Sequence, residues 1–144
     1  MSQRFRIAKG GRIDRETRLS FRYDGQTYDG FGGDTLASAL LANGIHLTGR
    51  SFKYHRPRGI LSSGSEEPNA LVTIGTNDRA TPNLRATQVE LYEGLVAQSQ
   101  NRWPNLQYDA LELFSAASRI LPAGFYYKTF MWPAALWTTY EGFI

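Results

Sequence analysis

Ten consecutive residues near the middle of the chain combine positive charge with aromatic rings. The segment reads Arg50-Ser51-Phe52-Lys53-Tyr54-His55-Arg56-Pro57-Arg58-Gly59, with four Lys or Arg and no acidic residue. A guanidinium group can donate two parallel hydrogen bonds to a phosphate or carboxylate, and an aromatic ring can stack on a planar ligand. The pattern predicts an anion site for a cofactor phosphate, a nucleic acid or a partner's acidic face. A solvated loop that forms ion pairs with neighbouring domains would have the same composition.

The sequence offers few other groups for catalysis or metal binding. It has no cysteine, which excludes disulfides, thiolate zinc sites and cysteine-ligated iron–sulfur clusters. Its two histidines, His46 and His55, are too few for a multi-histidine metal site. Residues 30–35 nearly match the dinucleotide fingerprint, but Thr35 replaces the third glycine and the ribose-binding acid is missing. A solvated turn explains Glu66-Glu67, so we predict no catalytic and no metal-binding residues.

The composition is that of an ordinary globular domain. The chain has 144 residues, a formal charge of +3, 42% hydrophobic and 20% charged residues. The first residues contain no apolar run of the kind that a secretory signal needs. The longest uncharged stretch near the other end, Thr129 to Tyr140, has 12 residues, too few for a membrane-crossing helix. We therefore expect a cytoplasmic protein without a membrane anchor.

A hairpin and a helix are predicted in the first part of the chain. Residues 19–23 alternate as a half-buried strand does, and Asp24-Gly25 after them is typical of a type I′ turn. Residues 26–31 should return as the second strand, since Thr27, Tyr28 and Phe31 are strand-forming residues. Asp34 is the expected N-cap of a helix whose apolar residues recur at three- and four-residue spacing. Asn43-Gly44 should end this helix, since Gly44 can adopt the left-handed conformation.

The second part of the chain predicts further strands and a helical end. We expect an irregular region over 49–69, a strand over 71–74, a loop over 75–86 and a strand over 87–92, while Asp109 should cap a later helix. Four strands wrapped around one helix form a β-grasp arrangement of the α+β class. The predicted organisation is a polar arm at 1–16, a β-grasp domain at 17–98 and a helical, aromatic-rich segment at 99–144.

The last twenty residues are rich in aromatic rings. They hold eight of the 19 aromatic residues, enough to close a core or to dock on another surface. The sequence stops at Ile144 without a polar tail, so we expect a longer polypeptide to follow.

Several segments carry a resemblance to known enzymes. The hairpin and the following residues 33–44 resemble the start of the plant-type ferredoxin-like domains of amine- and opine-oxidising enzymes. There a cysteine loop after the helix holds a two-iron cluster, whereas the corresponding loop here, 49–59, has no cysteine. From about Leu19 to Tyr140, the chain resembles the N-terminal part of the alpha subunits of heterotetrameric sarcosine oxidases. The segments that carry this resemblance are 49–59, 66–72, 99–104 and 123–133.

The resemblance implies a flavoenzyme complex. Such a complex demethylates sarcosine oxidatively to glycine, forms hydrogen peroxide, and releases formaldehyde or passes the one-carbon unit to tetrahydrofolate. It implies beta, gamma and delta subunits, FAD in the beta subunit, FMN near the alpha–beta boundary, and later parts of the alpha subunit that bind NAD and folate. The present chain would be a cluster-free domain without a cofactor of its own, and 99–144 would lead into a dinucleotide-binding domain.

The basic loop is the place where such a domain could contact a cofactor. The resemblance implies that a flavin phosphate or the acidic edge of a partner subunit faces Arg50, Lys53, Tyr54, His55, Arg56 and Arg58. A small nucleic-acid-binding module is the alternative, because basic residues interleaved with Phe52 and Tyr54 could clamp phosphates and stack bases. The acidic balance after residue 60 and the modest net charge weigh against nucleic acid.

Overall fold

The computed structural model describes residues 3–52 and 54–113, where seven strands and one helix are found. The elements are β1 (Asp14–Tyr23), β2 (Gln26–Gly32), α1 (Leu36–Ala42), β3 (Leu47–Arg50), β4 (Pro57–Gly59), β5 (Leu71–Ile74), β6 (Thr81–Arg85) and β7 (Val96–Ser99). Two short 3-10 turns lie at Asn77–Arg79 and Ala110–Glu112. Most of the predicted aromatic-rich helical segment, from residue 114 onward, lies outside the described residues.

The predicted first hairpin is confirmed. Strands β1 and β2 pair antiparallel, and both turn residues have positive φ, 49° at Asp24 and 83° at Gly25. These angles match a type I′ turn, whose twist suits the two flanking strands. Strand β1 begins at Asp14, earlier than predicted, so the expected polar arm ends before residue 14.

The helix is confirmed, but its N-cap was predicted wrongly. Thr35 is the N-cap: its side chain accepts a hydrogen bond from the Ser38 amide, and the Ser38 side chain accepts one from the Thr35 amide. Asp34 does not cap the helix because its carboxylate binds Arg6, the Phe31 amide and the Ser38 hydroxyl. Gly44, with φ of 81°, ends the helix as expected.

One mixed sheet holds the core. Its strand order is β2-β1-β7-β5-β6, with β1 and β7 parallel and the other neighbours antiparallel, while β3 and β4 form a separate two-stranded sheet. Helix α1 buries its apolar side against this sheet. The largest fully buried apolar side chains are Phe21, Leu36, Leu40, Val72 and Leu95. A mixed sheet around one helix agrees with the predicted β-grasp, α+β class, although the sheet has five strands rather than four.

Two predictions along the second half were wrong. Residues 87–92 form no strand in the structure; they cross the start of α1, where the Leu36 amide donates to Val89 O at 2.8 Å and the Leu91 amide to Asp34 O at 2.9 Å. The parallel partner of β1 is instead β7. The predicted loop over 75–86 contains β6, which is exposed along its length and therefore shows no alternation of apolar and polar residues. In the described part of the chain, no helix is long and apolar enough to span a membrane.

Candidate functional site

The basic loop joins the two strands of the small sheet. It leaves β3 at Arg50 and enters β4 at Pro57, and β3 and β4 pair antiparallel. The Ser51 amide donates to Arg56 O at 2.9 Å, and the His55 amide donates to Ser51 O at 3.0 Å. His55 has a positive φ of 52°, a left-handed conformation that turns the chain back toward β4. The irregular region expected over 49–69 therefore contains a closed hairpin loop.

Arg50 points into the protein rather than toward solvent. Only 4% of its side chain is exposed. Its Nε and Nη2 donate to Leu106 O at 3.1 and 2.9 Å, and its Nη1 donates to His55 O at 3.0 Å. Its Nη1 also lies 3.0 Å from Oε2 of Glu112, a half-exposed carboxylate. Because these partners bind the guanidinium, it does not face solvent, and the expected role of Arg50 in facing a flavin phosphate does not agree with the structure.

His55 is also turned inward, against Asp109. The His55 Nδ1 and Asp109 Oδ2 atoms are 2.6 Å apart, and their side chains are 10% and 0% exposed. The other carboxylate oxygen of Asp109 accepts from the amides of Trp103, at 3.0 Å, and Leu111, at 3.2 Å. The contact with the Leu111 amide confirms Asp109 as the cap of the turn that follows. Burial raises the pKa of Asp109, but the hydrogen bonds from His55 and the two amides outweigh it and hold the pKa below its ordinary value.

Of the remaining predicted site residues, those that the structure describes lie at or near the surface. Arg56 and Arg58 are exposed, and Tyr54 is half-buried. The Arg56 guanidinium lies 5.0 Å from the centre of the Tyr54 ring, which is a cation–π contact. Phe52 beside them is 86% exposed. We call Phe52, Tyr54, Arg56 and Arg58 the basic–aromatic surface; Lys53, also predicted for the site, is not among the described residues.

A cleft of about 360 Å³, lined by both polar and apolar residues, borders this surface. Phe52 and Arg58 form part of its wall. Arg58 donates from Nη1 to the Asn69 side chain at 2.7 Å, and Asn69 lines the cleft as well. The other amide side chains around it are Asn83, Gln100 and Asn101. The cleft therefore presents hydrogen-bonding groups and one exposed guanidinium next to an exposed ring.

A buried carboxylate close to the loop was missed. Glu67 is fully buried, and its carboxylate accepts from the amides of Leu61, Ser62, Asn69 and Ala70 at 2.6–3.1 Å. The expectation of a solvated turn was therefore wrong for Glu67 but holds for its exposed neighbour Glu66. A region rich in Gly, Ser and Pro has many amides without regular partners, and a carboxylate inside it is a group that can bind them. That signal was available in the sequence.

The described residues do not form a metal site. Within 3–52 and 54–113, no group of three or more His, Asp or Glu side chains is placed to hold an ion. His46 is exposed and packs edge-on against Phe5, while His55 is bonded to Asp109. The cysteine thiolates that an iron–sulfur cluster requires are missing from the whole sequence.

The family of the chain follows from its match to a known domain model. Residues 16–102 match a model described as a 2Fe-2S iron-sulfur cluster binding domain. The chain belongs to this family. Unlike the cluster-binding domains that the model describes, this member of the 2Fe-2S domain family has no cysteine and cannot hold a cluster on thiolates.

Named relatives of this family member are subunits of one enzyme type. The chain is 64% identical over 133 residues to sarcosine oxidase subunit alpha of Rhizobium meliloti (strain 1021), covering 92% of this chain and 14% of the relative. It is 50% identical over 91 residues to sarcosine oxidase subunit alpha of Corynebacterium sp. (strain U-96), covering 61% of this chain and 9% of that protein. The resemblance to sarcosine oxidase alpha subunits is thus confirmed. The chain spans only a small part of their length.

A solved structure supports the fold. The crystal structure of L-proline dehydrogenase from P. horikoshii superposes with a TM-score of 0.50 at 22% sequence identity, over 62% of this chain and 17% of that chain. At this level of identity the likeness concerns the fold alone, which agrees with the ferredoxin-like arrangement described above.

Proposed function

We propose that this chain is the N-terminal structural and assembly domain of a sarcosine oxidase alpha subunit. The observation that carries the proposal is the 64% identity to the Rhizobium meliloti alpha subunit along 92% of the chain. In this proposal the complete complex demethylates sarcosine oxidatively to glycine and forms hydrogen peroxide. The methyl carbon leaves as formaldehyde or as methylenetetrahydrofolate.

The proposal assigns the chemistry to other parts of the complex. The beta, gamma and delta subunits and the rest of the alpha subunit would supply the FAD, FMN, NAD and folate sites. In this proposal the β-grasp domain, predicted over 17–98, extends to include all of β1 and β7, from Asp14 to Ser99, and the residues after it would lead into a dinucleotide-binding domain. A structural role is supported by the way the chain uses its buried charges. Among the described residues, Asp34, Arg50, Glu67 and Asp109 are all bonded to other side chains or to backbone groups.

The basic–aromatic surface is the proposed contact with the rest of the complex. Arg56 and Arg58 are its two exposed charges, and Arg58 borders the cleft. We propose that this surface faces a flavin phosphate or the acidic edge of a partner subunit. Exposed guanidinium groups beside an exposed ring suit a ligand with both an anionic and a planar part, which a flavin mononucleotide has. Because Arg50 and His55 are buried, the described residues of this surface expose only two guanidinium groups, which favours a flavin or a protein partner over nucleic acid.

Replacing both Arg56 and Arg58 by alanine tests the flavin contact. In the assembled complex the double variant should retain clearly less FMN per alpha subunit, because each charge-assisted hydrogen bond to a phosphate is worth about 1.5–3 kcal/mol. The measurement is the flavin released on denaturation, separated chromatographically, together with the subunit stoichiometry of the purified complex. Arg22→Ala is the matched control, since Arg22 is an exposed arginine of β1 outside the loop.

The outcomes separate the two contacts. Loss of FMN with unchanged subunit stoichiometry supports the flavin phosphate, whereas loss of a partner subunit with FMN retained supports the acidic edge. No change in either quantity would remove the surface from the proposal. The assembly role itself is wrong if an affinity-tagged chain co-purifies with no other subunit and the purified material forms no peroxide from sarcosine.

A further inference from the structure

The 2Fe-2S family match and the donor set of this chain disagree. Residues 16–102 match a cluster-binding domain, and the chain has no thiolate to bind a cluster. The described part of the loop between β3 and β4 nevertheless contacts the segment at 101–109, although no strand pairing among the described residues joins the two. Some other group must therefore connect them.

Arg50 is the residue to which both segments are bonded. Its guanidinium donates to His55 O in the loop and to Leu106 O in the distant segment, and Nη2 also reaches Gln107 O at 3.5 Å. Its backbone takes part too: the Arg50 amide donates to Gln100 O at 3.1 Å, and Arg50 O accepts from the Asn101 side chain at 3.1 Å. The two segments meet at this one buried side chain.

The chemistry of the guanidinium suits this task. It is planar, permanently charged and has five N–H donors in a fixed arrangement, so it can bond several backbone carbonyls at once. A buried charge is tolerated only when its donors are satisfied and an opposite charge is near. Here carbonyl oxygens satisfy the donors, and the Glu112 carboxylate lies 3.0 Å away. The His55–Asp109 contact joins the same two segments a second time.

We propose that the buried Arg50 guanidinium is the group that holds this part of the chain together. It connects the loop 51–56 to the segment 101–109 and so fixes the shape of the basic–aromatic surface. Arg50 is thus a positioning residue for that surface: it borders the cleft, but its guanidinium is bonded to groups of the protein itself. Its connecting role stands on the contacts alone, whereas its value for the flavin or partner contact rests on the function proposed above.

Hydrogen exchange measured by mass spectrometry on the assembled complex tests this role. In Arg50→Met, the loop amides of Ser51, His55 and Arg56 should exchange at least about tenfold faster, since losing one hydrogen bond to a charged group is enough for such a change. Peptides from β1 and β2 should exchange at the wild-type rate. Arg50→Lys keeps the charge but loses the fork, so it should show a smaller effect at the same peptides. Arg22→Met is the matched control and should change none of them.

Three results would overturn the proposal. They are unchanged exchange in the loop of Arg50→Met, faster exchange spread equally over β1 and β2, and an Arg50→Lys variant with wild-type protection. If Arg50→Met does not accumulate, Arg50→Lys alone decides between protection lost in the loop and protection kept. The readout is local exchange rather than flavin content. The proposed role of Arg50 can therefore be refuted while the assembly function stands, and the assembly function can be refuted while the role of Arg50 stands.

Discussion

Replacing Asp34 by alanine should lower the free energy of unfolding of the chain by about 3–5 kcal/mol, the usual cost of removing one partner of a buried ion pair. The Asp34 carboxylate is 0% exposed and lies 2.6 Å from Nη2 of Arg6, whose side chain is 10% exposed. It also accepts from the Phe31 amide at 2.9 Å and from the Ser38 hydroxyl at 2.7 Å. The variant would leave the Arg6 charge and the Phe31 amide buried without this partner. Equilibrium unfolding in urea gives the free energy directly.

Arg18→Ala is the matched control for this prediction. Arg18, in β1, also lies near an acidic side chain, at 3.4 Å from Asp29, but the Arg18 side chain is 68% exposed. An exposed pair of this kind contributes about 0–1 kcal/mol. Equal losses in Asp34→Ala and Arg18→Ala would show that the buried pair adds no special stability.

The same ion pair shows that the residues before β1, predicted as a polar arm, are bonded to the rest of the fold. Arg6 joins the segment before β1 to the start of α1, and its guanidinium also lies 5.0 Å from the centre of the Phe31 ring. One residue earlier, Phe5 packs against His46 with ring centres 5.2 Å apart. A polar composition predicted an arm because each of these partners lies at least 25 residues away in sequence. Long-range pairs of this kind leave no local pattern.

Local patterns did predict the first half of the fold. Asp24-Gly25 forces a turn through its backbone conformation, and Gly44 ends the helix for the same reason, so neighbours in sequence decide both. Strand β6 shows the opposite case. Its five residues are all exposed, so burial imposes no alternation on them, and their pairing with β5 decides the strand. Residues 87–92 alternate because Val89 and Leu91 pack on the core, although the chain there crosses α1 instead of joining the sheet.

The candidate site divides in the same way. Composition correctly placed Arg56 and Arg58 in an exposed basic loop, since a short charged segment between two strands has little chance of burial. It could not separate them from Arg50 and His55, which are buried through contacts with Leu106 and Asp109. Those partners are more than 50 residues further along the chain. Charge alone identifies the loop, and only the tertiary contacts show which of its charges are available to a ligand.

Replacing Glu67 by glutamine should destabilise the chain by about 3 kcal/mol, because a neutral amide can accept fewer of the hydrogen bonds and leaves buried donors unsatisfied. The four backbone amides that Glu67 binds would face a side chain whose NH₂ group is itself a donor. Glu66→Gln is a close control, since Glu66 is the exposed neighbour and should change stability by no more than about 0.5 kcal/mol.

The pH dependence of unfolding should change in the same variant. Burial raises the pKa of Glu67, but its four amide donors lower it further, so the pKa of the folded protein lies below the ordinary value. A carboxylate with a lowered pKa stabilises the fold above its unfolded pKa, about 4.3, and loses that contribution as the pH falls through the folded pKa. Wild-type stability should therefore fall between about pH 5 and pH 3, and Glu67→Gln should reduce this slope. Asp109, with its lowered pKa, keeps part of the slope in the variant. Identical slopes in wild type and Glu67→Gln, measured by urea unfolding at each pH, would show that the pKa of Glu67 is not lowered on folding.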